Sequence, residues 1–177
     1  MKEKIISRNF KKGRYRAVAF KITSKCRKFF EYLYDKDNKN HSKFKFLFDE
    51  YYFCLMVGLA AEMYDENAKL ESSEITDSYP GDYIYSRDYI AGLLIATERK
   101  RRGIRESDSV ALEKLMVEYL DPESKTRLSS VGEERLNQYA ARGIDIMMEV
   151  MTKPYDLGTF LLEYMDCFEQ RKFFVQY

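Results

Sequence analysis

Between Glu50 and Glu62 the chain runs through eleven residues without a charge, and the wider stretch from Phe46 to Tyr64 is apolar on almost every helical face. A helix that is hydrophobic all round is buried on all sides, in lipid or at the centre of a protein. A bilayer span needs roughly 20 apolar residues, so this run is too short to cross one. It reads as a buried central helix, with Gly58 letting a neighbouring helix come close and Cys54 serving as a small buried hydrophobe. The rest of the chain has to wrap it.

Helical periodicity supplies the wrapping. Cys26, Phe29, Phe30, Leu33 and Tyr34 follow an i, i+3, i+4 series over 24–35, with Thr23 or Ser24 as cap. Further helices are expected near 43–65, 86–102, 108–120, 130–152 and 156–170. Gly103 follows the helix over 86–102 as its C′ residue, and Arg99, Lys100, Arg101 and Arg102 fill its last turn, where cations offset the helix dipole. Ser130-Val-Gly-Glu133 reads as a capping box, and Asp156 as the cap of the last helix. Pro80, Pro122 and Pro154 all fall between these elements. Ahead of them Val18, Phe20 and Ile22 alternate in a short strand signal over 15–22. The class is mainly α: a bundle of five to six helices around a buried central helix, with a short basic N-terminal strand or arm. Residues 1–14 are expected to be a flexible basic arm, and 15–177 a single helical domain.

Charge is unevenly spread. Residues 1–45 hold 15 of the 30 Lys and Arg against four acids, while 46–177 hold 15 against 25, although the whole chain balances at +1. Such asymmetry suggests a basic arm for an anionic partner beside an acidic body. Equally, the basic segment can dock on the acidic remainder of the same molecule. Lys11, Lys12, Arg14, Arg16, Lys21, Lys25, Arg27 and Lys28 gather around the strand and the start of the next helix, with Tyr15 and Phe20 interleaved. That is the arrangement phosphate contacts require. Arg99, Lys100, Arg101, Arg102 and Arg105 form a secondary basic patch.

Catalytic constellations are missing. The lone histidine, His41, has no zincin partner, no Cys–His cluster has zinc spacing, and neither a phosphate-binding glycine loop nor a nucleophile elbow is present. Glu62, Glu113, Glu118, Glu133, Glu134 and Glu149 read as residues of solvated faces, so no metal site, cofactor or enzymatic role is expected. Three cysteines without a C-x-x-C pair and no secretory leader point to a soluble cytoplasmic protein without a membrane span.

Phe20-Lys-Ile-Thr-Ser24, followed by the Tyr51 to Ala61 run, gives the order strand, capped helix, loop, apolar helix. Over 15–66 this layout resembles ribbon-helix-helix DNA-binding proteins, which pair strands between subunits. It is also similar to DndE-type accessory proteins of prokaryotic DNA sulfur modification. The long Asp35 to Ser42 loop and some 110 further residues depart from both. The resemblance implies nucleic-acid association in DNA modification or defence, and homo-oligomerisation that would cover an unpaired strand. Two functions fit: a nucleic-acid-binding accessory or regulatory protein with a further protein partner, or a helical scaffold subunit of a larger complex.

Overall fold

A computed structural model describes Val18, residues 20–35 and residues 43–174. Among these residues six helices follow in order: α1 Ser24–Phe29, α2 Leu47–Ala60, α3 Arg87–Arg101, α4 Ser109–Tyr119, α5 Ser130–Val150 and α6 Leu157–Glu169, with a 3-10 turn over Gly81–Ser86 leading into α3. The protein is a mainly helical bundle, and its axis is the packing of α2 on α5.

Two glycines set that packing. A Cβ on Gly143 would lie 1.8 Å from the carbonyl oxygen of Cys54, and one on Gly58 would lie 2.1 Å from that of Tyr139. Only glycine lets the two backbones touch. Around the crossing Leu55, Val57, Leu136, Tyr139, Ile144 and Met147 are fully buried. At the N-terminal end of α2, the rings of Phe20, Phe48, Tyr51 and Tyr79 pack with centroids 4.9 to 5.6 Å apart.

Caps fix the helix ends. Thr23 accepts from Cys26 N–H, Asp108 from Ala111 N–H and Asp156 from Thr159 N–H. The α5 cap is Ser129, which accepts from Gly132 N–H, so Ser130 is the first helical residue and not the cap expected from the capping-box pattern. Gly103 takes φ +62° after α3. There Ile104 N–H bonds the Arg99 carbonyl and Gly103 N–H that of Lys100, the paired closure of a Schellman motif.

Two sequence expectations change at the N-terminal side. The strand expected over 15–22 is, in its described part, an extended segment with isolated bridges from Phe20 to Thr76 and from Thr23 to Leu70. Its backbone is satisfied inside the chain: Phe20 N–H donates to Thr76 O, Ile75 N–H to Phe20 O, Glu71 N–H to Ile22 O, and Lys21 N–H to the Asn137 side chain. The alternation itself reads correctly, with Phe20 and Ile22 buried. The helix expected to reach residue 35 stops at Phe29. Leu33 stays buried because the chain turns, with Leu33 N–H bonding Phe30 O and Phe44 N–H bonding Leu33 O.

Glu50, at the start of α2, is buried, and one carboxyl oxygen has no hydrogen-bond partner among the described residues. Burial pushes its pKa up to about 8; nearby Arg27 opposes the shift, while Asp49 and Glu71 add to it. The fold therefore holds a proton that the unfolded chain releases near pH 4.5, and stability falls as pH rises from there through 8. Glu50→Gln is expected to remove that slope. In urea denaturation at pH 5 and pH 8 the gain at the higher pH should be on the order of 3 kcal/mol. An equal pH slope in both proteins would refute this account.

Candidate functional site

The basic residues singled out in the sequence meet different fates. Lys11, Lys12, Arg14 and Arg16 lie outside the described residues. Lys21 donates from Nζ to the Ser72 carbonyl at 3.2 Å. Lys25 pairs with Asp145 and Arg27 with Glu71, each at 2.7 Å. Lys28 is exposed. Over its described part, then, the basic segment is anchored to carboxylates and carbonyls of the later chain. Surface pairs of this kind contribute at most about 1 kcal/mol each, so they orient α1 more than they stabilise it.

The patch at the end of α3 is engaged more deeply. Arg99 pairs with Glu106 at 3.2 Å, Lys100 pairs with Glu62, and Arg105 is exposed. Arg101 and Arg102 turn inward to Glu98, which is wholly buried. Tyr139 donates to one Glu98 oxygen at 2.6 Å and Tyr119 to the other at 3.2 Å. Arg135 of α5 reaches the same carboxylate at 3.6 Å, and Arg102 also grips Glu118 through two bonds of 2.8 and 2.9 Å. The guanidiniums of Arg101 and Arg135 lie 4.3 and 3.7 Å from the Tyr64 ring centre. Burial, then the bond to Glu98, pushes the Tyr139 hydroxyl far above its ordinary pKa, and burial raises Tyr119 to about 12. The bond from Arg102 holds Glu118 below its ordinary pKa.

Every member of this cluster is committed to another member. It is a clamp joining α3, α4 and α5 around one buried carboxylate. Glu98 could have been found in the sequence, since it follows Ile90 and Leu94 at i+4 intervals and both are buried. Glu133 corrects an expectation: it is not on a solvated face but buried, with Thr126 donating to it at 2.6 Å. Its carboxyl is raised above its ordinary value by burial. Among the described residues no three His, Cys, Asp or Glu side chains gather as a metal-holding group, and no helix is long and apolar enough to cross a membrane.

What remains unspent is apolar surface around α3. On one flank a groove of about 430 Å³ is lined by Tyr52, Phe53, Met56 and Ala60 of α2, Tyr89, Leu93 and Thr97 of α3, and Tyr164 and Phe168 of α6. On the other flank a groove of about 420 Å³ is lined by Asp88, Ala91, Gly92 and Ile95 of α3 together with Met116, Leu120, Pro122 and Arg127. Tyr89 on the ridge between them is 64% exposed, and Met116 is also exposed. On α6 Leu162 is 75% exposed, and Leu161 is exposed as well. Sequence reasoning missed this face because Leu93 and Thr97 share the period of the buried positions.

Comparison with protein-family models, with curated proteins and with solved structures finds no match. Function has to be read from the surface itself.

Proposed function

We propose that this protein is a non-enzymatic interaction subunit that works through the outer face of α3 and its two flanking grooves. The observation that carries this reading is the apolar ridge and groove system itself. Surface of that kind, rimmed by polar residues, marks protein contacts. The three buried free thiols fit work in a reducing compartment such as the cytoplasm. Pull-down with the full chain and with Tyr89→Glu, followed by titration of the purified partner, tests it. The exposed position of Tyr89 leaves the fold intact, and affinity is expected to fall at least tenfold. Equal affinity of the two proteins would remove α3 as the contact.

A second reading keeps the basic N-terminal segment as a nucleic-acid contact in an accessory or regulatory protein. It is favoured by the 15 basic against four acidic residues in 1–45 and by the exposure of Lys28. The charges of Lys25 and Arg27 are offset inside the chain, so this reading rests on Lys11, Lys12, Arg14, Arg16 and Lys28. Anisotropy with a random-sequence duplex at several salt concentrations separates the two. A slope of log K near 0.9 per phosphate contact, lost when residues 1–16 are removed, favours nucleic acid. Absence of binding at low salt leaves the protein-contact reading alone.

A further inference from the structure

Independently of which surface carries the contact, we infer that Cys26 and Cys54 form a redox pair, in which oxidation joins them in a disulfide that locks α1 onto α2 and reduction releases it.

Cys26 Sγ of α1 and Cys54 Sγ of α2 lie 3.7 Å apart, within reach for either thiol to donate to the other, although 28 residues separate them in sequence. Both are buried and both are free thiols. A disulfide places its sulfurs about 2.05 Å apart, so the pair has to close by roughly 1.7 Å. Rotation of two side chains with a small shift of α1 supplies that distance. The two sulfurs also stand on elements of unequal support. Cys54 sits where α2 crosses α5 backbone to backbone, its carbonyl oxygen 1.8 Å from where a Gly143 Cβ would stand. Cys26 belongs to a helix of six residues, too short to hold itself. The ion pairs of α1, Lys25 to Asp145 and Arg27 to Glu71, are partly exposed and weak. A covalent tie between the sulfurs therefore fastens a short helix to the packed axis of the bundle.

The bond to Cys54, then burial, push the Cys26 thiol well above its ordinary pKa; Glu50 adds to the shift and Arg27 opposes it. The thiolate is the attacking form, so the pair reacts slowly, and its burial selects a small uncharged oxidant of the hydroperoxide class. One sulfur, deprotonated, attacks a peroxide oxygen; the O–O bond breaks, hydroxide leaves and a sulfenic acid remains. The second sulfur attacks the first, the S–O bond breaks, and the oxygen leaves as water. Two thiols and one hydrogen peroxide give one disulfide and two waters, the thiols being oxidised and the peroxide reduced.

The test treats the native full chain with excess hydrogen peroxide, quenches with catalase, alkylates in urea and maps the peptides with and without reductant. Free thiols are expected to fall from three to one, with Cys26 linked to Cys54 and Cys167 alkylated. The oxidised protein should melt roughly 5 to 15 °C higher, and amide exchange over α1 should slow about tenfold while that over α4 is unchanged. Dithiothreitol, which leaves methionine sulfoxide in place, should reverse both effects. In Cys26→Ser and in Cys54→Ala the two remaining thiols should stay unlinked. Three free thiols after treatment, a sulfinic acid in place of the bridge, or a bridge to Cys167 overturns the pairing. A bridge that forms only in urea, or one that leaves exchange over α1 as it was, overturns the lock.

Discussion

Gly143→Ala is expected to lower stability by about 3 to 5 kcal/mol, beyond the ~1–3 kcal/mol of ordinary overpacking. The added Cβ would stand 1.8 Å from the Cys54 oxygen, 2.7 Å from its carbon and 2.9 Å from the Gly58 nitrogen. All three atoms are backbone, so no side chain can swing aside and α2 must move away from α5. That movement opens the most tightly packed part of the core. For a chain of this size the thermal midpoint should fall by roughly 6 to 20 °C. Gly58→Ala, which meets the Tyr139 carbonyl at 2.1 Å, should behave alike. A midpoint within 3 °C of the parent for either variant would mean that the helix crossing is looser than described.

Glu98→Ala is the other change with a large expected effect. It removes the acceptor of Tyr119 and Tyr139 and the counter-charge of Arg101, Arg102 and Arg135 at a point with no solvent access. Breaking a buried pair from one side costs about 3 to 5 kcal/mol, because the partners stay behind unpaired. Arg102 retains Glu118, which places the effect toward the lower end. Added salt should do little to the difference, since a desolvated cluster is poorly screened. Lys25→Ala is the contrast: its side chain is 59% exposed, and the loss should stay within about 1 kcal/mol. Urea denaturation of both variants at low and high salt checks the pair. Equal, small losses would show that the Glu98 cluster is not the clamp of α3, α4 and α5.

The helices were legible because apolar spacing and the three prolines agree on them, and caps such as Asp156 confirm their ends. The end of α1 was not, because Phe30 and Leu33 remain buried whether the chain continues as helix or turns. The pairing of Lys25 with Asp145 and of Arg27 with Glu71 lies 120 and 44 residues away along the chain, and local charge patterns carry no information at that range. Glu133 was misread although it precedes buried Leu136, Asn137 and Ala140 at helical spacing, because its partner Thr126 sits in the loop before the helix and a carboxylate in a first turn reads as solvated without it. The grooves beside α3 escaped notice because apolar residues at helical spacing look the same whether the bundle covers them or leaves them open.

The glycine crossing also bears on how the chain comes off the ribosome. Gly58 and Gly143 are 85 residues apart, and synthesis at about 5–20 residues per second separates their appearance by roughly 4 to 17 seconds. Throughout that interval the uncharged run Tyr51–Ala61 has no α5 to lie against, and the Phe20 segment lacks Asn137 to hold its backbone. The nascent chain thus carries its stickiest helix early and its cover late. Aggregation during expression should track the rate at which residues 62–143 are translated, and a trigger-type holdase that shields the run for those seconds should raise the yield of folded protein.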